Sequence, residues 1–139
     1  MTTSQAQVTA PAEVIGATTR AFAEAVFANG ALVALIEHRA GIHPAIGAQW
    51  SRVRTRLRER FTAFLERDEV RDGIDPCAPP TRIVETLADA LLIGASRLAG
   101  ADHDRREQFI TDHIAIAERL IGCTSWIIEP AATESEDIQ

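Results

Sequence analysis

The stretch WSRVRTRLRERFTAFL (residues 50–65) decides how the chain folds, because two periodicities compete within it. Arginine occupies every second position from 52 to 60, a spacing that would give a β-strand one basic face. The apolar side chains are instead three or four positions apart, at Ile46, Trp50, Val53, Leu57, Phe61, Phe64 and Leu65. Such spacing is typical of one face of an α-helix. The stretch therefore predicts a long amphipathic helix that begins at residues 42–44 and ends near residues 71–76.

A helix distributes the five arginines around its axis rather than gathering them on one face. At about 100° per residue, Arg52 and Arg56 fall on the solvent side, while Arg58 and Arg60 flank the apolar stripe. Arg54 falls inside the stripe, where a cation needs an acidic partner or an anionic ligand. An internal ion pair is the favoured interpretation. The run of arginines does not predict a nucleic-acid surface, since the chain has no tyrosine and a net charge of -6.

The rest of the chain shows helical signals as well. Helices are predicted from Pro11 to about residues 29–30, over residues 31–41 and 81–99, and from an Asp cap within residues 101–107 to Gly122. No strand pattern or repeat is present. The sequence predicts an all-α domain of five to six helices over residues 11–123. We expect a flexible arm at residues 1–10 and an acidic, disordered tail at residues 124–139.

Composition limits the class of protein. The chain has 139 residues, of which 46% are hydrophobic and 24% charged, as expected for one globular domain. Its acidic balance disfavours DNA and anionic membranes as default partners. The N-terminus does not resemble a signal peptide, and no apolar run approaches the roughly 20 residues of a membrane span. Two isolated cysteines favour reduced thiols. These features predict a soluble, cytoplasmic protein that does not bind membranes.

Motifs that carry catalysis or bind metals are missing from the sequence. There is no nucleophile elbow, no Gly-rich phosphate loop and no carboxylate pair on an apolar face. His38 and His43 are five positions apart, His103 and His113 are ten apart, and neither cysteine belongs to a CxxC motif. We therefore predict no enzymatic activity, no catalytic residues, no cofactor and no metal site. His113 lies in the middle of an apolar helical face, where a core or interface histidine is expected.

The two C-terminal helices have broad apolar faces. In the first of them, Ala88, Ala90, Gly94 and Ala95 are small enough to let another backbone approach closely. A second copy of the chain could cover these faces in a four-helix bundle. A monomer in which both helices are central is the alternative. The predicted dimer interface consists of Leu87, Leu91, Ala95, Phe109, His113, Ile116 and Leu120.

The first three helices hold most of the aromatic residues. Such a stripe is more often core than pocket, but its separation from the C-terminal helices leaves room for an apolar cavity. Thr18, Asn29 and Arg54 could offer polar contacts there.

The order of these features resembles the C-terminal regulatory domain of TetR-family transcriptional repressors. The resemblance covers residues 12–122 and is carried by ALVALIEHRAGIHPAIGAQW (31–50), RERFTAFLERDEVRDGIDP (58–76), PPTRIVETLADALLIGASRLAG (79–100) and REQFITDHIAIAERLIG (106–122). It implies a homodimer and a pocket for a small apolar or amphipathic effector. The predicted ligand-binding residues are Phe22, Phe27, Trp50, Arg54, Leu57, Phe61 and Phe64.

The family binds DNA through an N-terminal helix-turn-helix domain, and only about ten polar residues precede the first helix here. DNA binding is therefore expected only if a longer chain or a partner supplies that domain. Two other functions remain open: a helical protein–protein interaction module without a small-molecule ligand, and a small all-α enzyme.

Overall fold

The computed structural model describes residues 10–123 and confirms an all-α fold. Within this range the chain forms six helices and no strands. They are α1 (Pro11–Ala28), α2 (Gly30–Ala40), α3 (Pro44–Leu65), α4 (Asp68–Arg71), α5 (Pro80–Arg97) and α6 (His103–Ile121). The predicted tail, residues 124–139, and residues 1–9 of the predicted arm lie outside the described residues.

Local sequence signals set most of the helix ends. Proline occupies the first turn of α1, α3 and α5, where its missing N–H is not needed. The Asp102 side chain accepts a hydrogen bond of 2.9 Å from the backbone N–H of Arg105 and caps α6. Gly122 ends α6 in the left-handed conformation, with φ at 77°. The predicted cap and stop of the last helix are confirmed.

The long helix α3 ends at Leu65, earlier than the predicted 71–76. Arg67 is extended, with φ -65° and ψ 144°, and this break separates α3 from the short α4. The change of direction brings Val70 of α4 back into the core, where it is 4% exposed. Burial of the Val70 side chain is the physical reason for the break. The spacing of apolar residues along a single helix does not reveal such a break.

Helix α5 lies at the centre of the domain and packs against α1, α2, α3 and α6. One core cluster joins the first half of α1, the end of α3, the first half of α5 and the end of α6; its largest fully buried members are Ile15, Leu65, Val84 and Ile121. A second cluster joins the other halves of α1, α5 and α6, with Ile110 and Ala95 completely buried. These pairings make α5 parallel to α1 and antiparallel to α3 and α6.

The connector between α4 and α5 is held to the end of α6 by its backbone. The backbone N–H of Asp75 donates a hydrogen bond of 2.9 Å to the carbonyl oxygen of Gly122. The backbone N–H of Cys77 donates one of 3.0 Å to the carbonyl oxygen of Leu120. A Cβ at Gly122 would lie 2.0 Å from the carbonyl oxygen of Asp75, so no larger residue fits there. The connector thereby fixes the C-terminal end of α6 against the start of α5.

The apolar faces of α5 and α6 are used inside the single chain. Of the predicted interface residues, Leu87, Leu91, Ala95 and His113 are between 0% and 8% exposed. The first three belong to the core clusters to which α1 and α3 contribute. Gly94 likewise serves the chain itself, since a Cβ there would lie 2.5 Å from the Phe109 ring.

The dimer interface stays a prediction, and four of its residues are already buried within the single chain, as the monomeric alternative expects. Phe109 and Leu120 are half-buried against the two core clusters. Ile116, at 53% exposed, remains on the surface.

No single described helix is long and apolar enough to cross a membrane. Helices α1 and α2 reach the required length and hydropathy only when taken together, and the chain bends by 84° between them.

Candidate functional site

A cavity of about 420 Å³ lies between α1, α2, α3, α5 and α6. It is lined by members of both core clusters, such as Val84 and Leu87 of the first and Leu91 and Leu92 of the second. The remaining lining residues are Thr18, Thr19, Phe22, Ala25, Val26, Asn29, Leu32, Val33, Trp50, Val53, Arg54, Leu57, Arg58, Phe61, Ala88, Asp89, His113 and Ala117. The cavity is therefore a gap in the core at the level where α3 passes α5, and its wall is mostly apolar.

The apolar stripe of α3 faces this cavity instead of a filled core. Val53 and Leu57 are 43% and 45% exposed although they belong to the stripe, and Leu32 of α2, at 53%, lies beside them in the wall. Helix α2 buries no residue fully, so it covers α3 only in part. The cavity is consequently open on the side of α2 and α3, and its opening has apolar edges.

Five of the seven predicted ligand-binding residues line the cavity: Phe22, Trp50, Arg54, Leu57 and Phe61. Trp50 is held in place by its indole N–H, which donates to the carboxylate of Glu37 on α2. This bond fixes the ring at the junction of α2 and α3, where its apolar body forms part of the wall.

Phe27 and Phe64, the other two predicted residues, do not line the cavity. Phe27 is 9% exposed and packs edge-on against Phe109 of α6, with ring centroids 6.4 Å apart. It follows Val26, which does line the cavity, and one position turns a helical side chain by about 100°. Phe64 packs on Phe61 at 6.1 Å and beneath the guanidinium of Arg67 at 5.7 Å.

Three charged residues form one polar patch of the cavity wall. Nη2 of Arg54 donates to Oδ1 of Asp89 at 2.8 Å, and Nη2 of Arg58 donates to the same oxygen. The side chains of Arg54, Arg58 and Asp89 are 33%, 25% and 48% exposed. The expected acidic partner of Arg54 is present, and it also links α3 to α5.

The sequence prediction missed Arg58 and Asp89 as cavity residues. Arg58 was placed beside the stripe, yet it follows Arg54 by four positions and so shares its helical face. Asp89 interrupts the apolar face of α5 between Leu87 and Leu91. The sequence does contain a signal for this pairing. Asp89 is a lone acid on a broad apolar face, and the two arginines lie four positions apart on another helix.

His113 lines the cavity from α6 and is 6% exposed. Its ring lies 5.9 Å from that of Phe109, measured between centroids. Burial lowers the pKa of His113 below its ordinary value, because the protonated ring would lose hydration. A neutral imidazole is therefore the stable form at neutral pH.

The other polar groups in the wall are side chains of Thr18, Thr19 and Asn29. Two of these, Thr18 and Asn29, were expected as polar contacts. The side-chain amide of Asn29 already donates to the carbonyl oxygen of Ala25 at 2.8 Å, so one of its donors is occupied.

Groups with metal-binding or nucleophilic chemistry are sparse. Between residues 10 and 123 no three His, Cys, Asp or Glu side chains come together as metal ligands would. Cys77 is an exposed free thiol and Cys123 a buried one. Burial raises the pKa of Cys123, which disfavours the reactive thiolate.

Comparison of the chain with protein-family models, with curated proteins and with solved structures found no match. The chemistry of the site is accordingly interpreted from its own geometry.

Proposed function

We propose that this chain is a ligand-binding regulatory domain that takes up a small, largely apolar or amphipathic molecule. The observation that carries the proposal is the cavity of about 420 Å³ that lies between five helices and opens on the side of α2 and α3. Protein interiors are normally close-packed, and a gap of this size forfeits contacts that a bound molecule would restore. Cavities of roughly 300–1,000 Å³ with apolar walls and a few polar groups are typical of small-molecule sites.

A regulator of TetR type is the form of this proposal that accounts for most features of the sequence. A short helix, a turn, a long helix with an early tryptophan and two C-terminal helices follow one another as in the regulatory domains of that family. A site for a small effector would then lie where the cavity is found, among the first helices and α5. DNA binding would require a helix-turn-helix from a longer chain or a partner, and the free cysteines suit a cytoplasmic location.

Dimerisation is part of the same proposal, with a revised surface. Ile93 of α5 and Ile116 of α6 are 52% and 53% exposed. Ala90 and Ala115 are exposed on the same two helices, which gives the outer side of α5 and α6 an apolar character. We propose that this outer side, not the buried one, meets a second copy. Sedimentation should show a dimer that Ile93→Glu and Ile116→Glu dissociate; a stable monomer at micromolar concentration would refute this part.

A thermal-shift screen of small apolar compounds tests ligand binding. A compound that binds only the folded state at 1,000 times its Kd stabilises it by about 4 kcal/mol. Ala88 lines the cavity, whereas Ala63 on α3 is exposed, does not line the cavity and lies outside the proposed dimer surface, so the two form a matched pair. Compounds that raise the Tm of the wild type and of Ala63→Phe should fail with Ala88→Phe, in which a ring occupies the site. Equal responses in both variants, or none in the wild type, would refute the proposal.

A protein–protein interaction module is a second candidate, favoured by a different observation. Six large apolar side chains on α2, on α3 and in the turn between them are between 36% and 58% exposed: Leu32, Leu35, Ile42, Ile46, Val53 and Leu57. Leu35 and Ile42 do not line the cavity. Under this candidate, Leu35→Glu and Ile42→Glu would abolish association with a partner protein. Under the ligand-binding proposal, both variants keep the thermal response to small compounds.

A further inference from the structure

Two guanidinium groups share one carboxylate oxygen in the wall of the cavity. Arg54 and Arg58 lie one turn apart on α3, and the Nη2 atoms of both donate to Oδ1 of Asp89 on α5. Each guanidinium has five N–H donors, so a single shared oxygen leaves most of them unused. Nε of Arg58 is buried and has no hydrogen-bond partner within the described residues. The cluster therefore has N–H donors that no protein group accepts, and both arginines line the cavity.

The same cluster has an unbalanced charge. Two arginines against one aspartate leave one positive charge, and no other lining residue carries a charge at neutral pH. His113 does not change this balance, because its burial favours the neutral ring. Glu37, which accepts the indole N–H of the lining residue Trp50, is not itself a lining residue. A single positive charge in an apolar wall favours a monoanion.

The geometry of the donors selects the kind of monoanion. A guanidinium is a planar fork that fits the two oxygens of a carboxylate, and such charge-assisted pairs are stronger than neutral hydrogen bonds. Away from the cluster the wall is formed by side chains such as Phe22, Val26 and Leu92, which offer only apolar contact. A molecule that satisfies both regions has a carboxylate at one end and an apolar body behind it.

We infer that the ligand of this cavity is an amphipathic monocarboxylate whose carboxylate binds Arg54 and Arg58, with Asp89 holding both guanidiniums in place until the ligand arrives. This inference rests on the proposed function, since it names the class of ligand for the same cavity. Asp89 then has two opposed effects: it positions the arginines, and it competes with the ligand for their donors.

Calorimetric titration with decanoate and with decanol, each below its micellar concentration, tests the inference. Decanoate and decanol have the same alkyl chain and differ in the charge of the head group. The ratio of their Kd values therefore measures the contribution of the carboxylate to binding. Hydrogen bonds to charged groups are strong enough to predict decanoate binding about tenfold tighter or more. Arg54→Gln and Arg58→Gln should bring the two Kd values close together by weakening decanoate alone. Arg56→Gln, which removes an exposed arginine of the same helix, should preserve the wild-type ratio.

Asp89→Asn gives a result that a purely structural ion pair would not. Removing the competing negative charge should tighten decanoate binding several-fold and leave decanol unchanged. A cluster that only joins α3 to α5 would show weaker or unchanged binding of both probes. Asp89 is about half exposed, so the uncharged variant leaves no deeply buried charge unpaired.

The failure of the inference is distinguishable from failure of the proposed function. Equal affinity for decanoate and decanol, or a preference for decanol, overturns the monocarboxylate while the apolar site stands. A decanoate preference that survives both arginine substitutions also overturns it, because the charge recognised would lie elsewhere. No binding of either probe, together with no hit in the thermal-shift screen, refutes the cavity as a ligand site altogether.

Discussion

Two glycines inside helices are predicted to respond in opposite directions to the same substitution. A Cβ at Gly94 of α5 would lie 2.5 Å from Cε1 and 2.8 Å from Cζ of Phe109. A Cβ at Gly16 of α1 would lie 3.9 Å from its nearest neighbour, Cδ1 of Ile114, which is ordinary contact. Alanine should therefore stabilise the fold at Gly16 and destabilise it at Gly94.

The magnitudes follow from two opposing contributions. Replacing glycine by alanine inside a helix stabilises it by about 1 kcal/mol, and this applies at both positions. Extra volume in a packed interior costs about 1–3 kcal/mol when neighbours must move. The Phe109 ring is restrained because Phe27 meets it edge-on at 6.4 Å and His113 lies 5.9 Å away. We expect Gly16→Ala to gain about 1 kcal/mol and Gly94→Ala to lose up to about 2 kcal/mol.

Urea unfolding followed by far-ultraviolet circular dichroism measures both free energies of unfolding. The difference of about 1–3 kcal/mol between the variants corresponds to roughly 3–12 °C in Tm for a domain of this size. A Phe109→Leu background provides the control, because Gly94→Ala should lose most of its penalty once the ring is gone. If Gly94→Ala is as stabilising as Gly16→Ala, the reasoning fails and Phe109 does not pack over Gly94.

Four further changes have expected outcomes. Arg54→Ala should alter ligand response or stability more than Arg56→Ala, because only Arg54 lines the cavity and pairs with an acid. Gly122→Ala should destabilise the fold by more than 1 kcal/mol, since it adds a Cβ at a φ of 77° and 2.0 Å from a backbone oxygen. Asp102→Ala should cost about 1 kcal/mol through the lost cap of α6. His113→Leu should weaken the pH dependence of stability. The folded-state pKa of His113 lies below the ordinary value of about 6.5, so the unfolded state binds more protons. The stability of the wild type therefore falls as the pH drops through about 6.5 and below.

Matched control variants and conditions test these four predictions. Equal and negligible effects of the two arginine variants would remove Arg54 from the site. Gly100→Ala, where a Cβ meets nothing within 4 Å, is the reference for Gly122, and equal losses would contradict the steric reasoning. Asp102→Asn should retain the cap and most of the stability. For His113, the free energy of unfolding is compared between about pH 7.5 and pH 5.5, and an unchanged slope in the leucine variant would contradict the assigned cause.

The helices of this fold could be predicted from the sequence because their signals are local. Pro11, Pro44 and Gly122 mark helix ends through their own backbone preferences, and the three- and four-residue spacing around Trp50 identifies α3. The end of α3 could not be predicted in the same way. Its position depends on Val70 reaching a core built by distant residues.

The cavity was only partly predictable for a related reason. Helical angles correctly placed Trp50, Leu57 and Phe61 on one face, but they do not distinguish a face that fills a core from a face that borders a gap. The broad apolar faces of the last two helices predict burial, but they do not specify which elements cover them. Leu91 belongs to the second core cluster and His113 lines the cavity, so both are already buried within the single chain.

Helix α2 has a consequence for how fast a ligand can arrive and leave. It is the one cavity-forming helix among the described elements without a fully buried residue, yet it contributes Leu32 and Val33 to the wall. Because α2 has no fully buried side chain, we expect its local opening to need less free energy than global unfolding. Native-state hydrogen exchange should then show amides of α2 exchanging well before those of α5 and α6. A site enclosed on one side by its least stable helix can exchange its occupant while the rest of the domain stays folded, and the residence time of the bound molecule would be set by the motion of that helix.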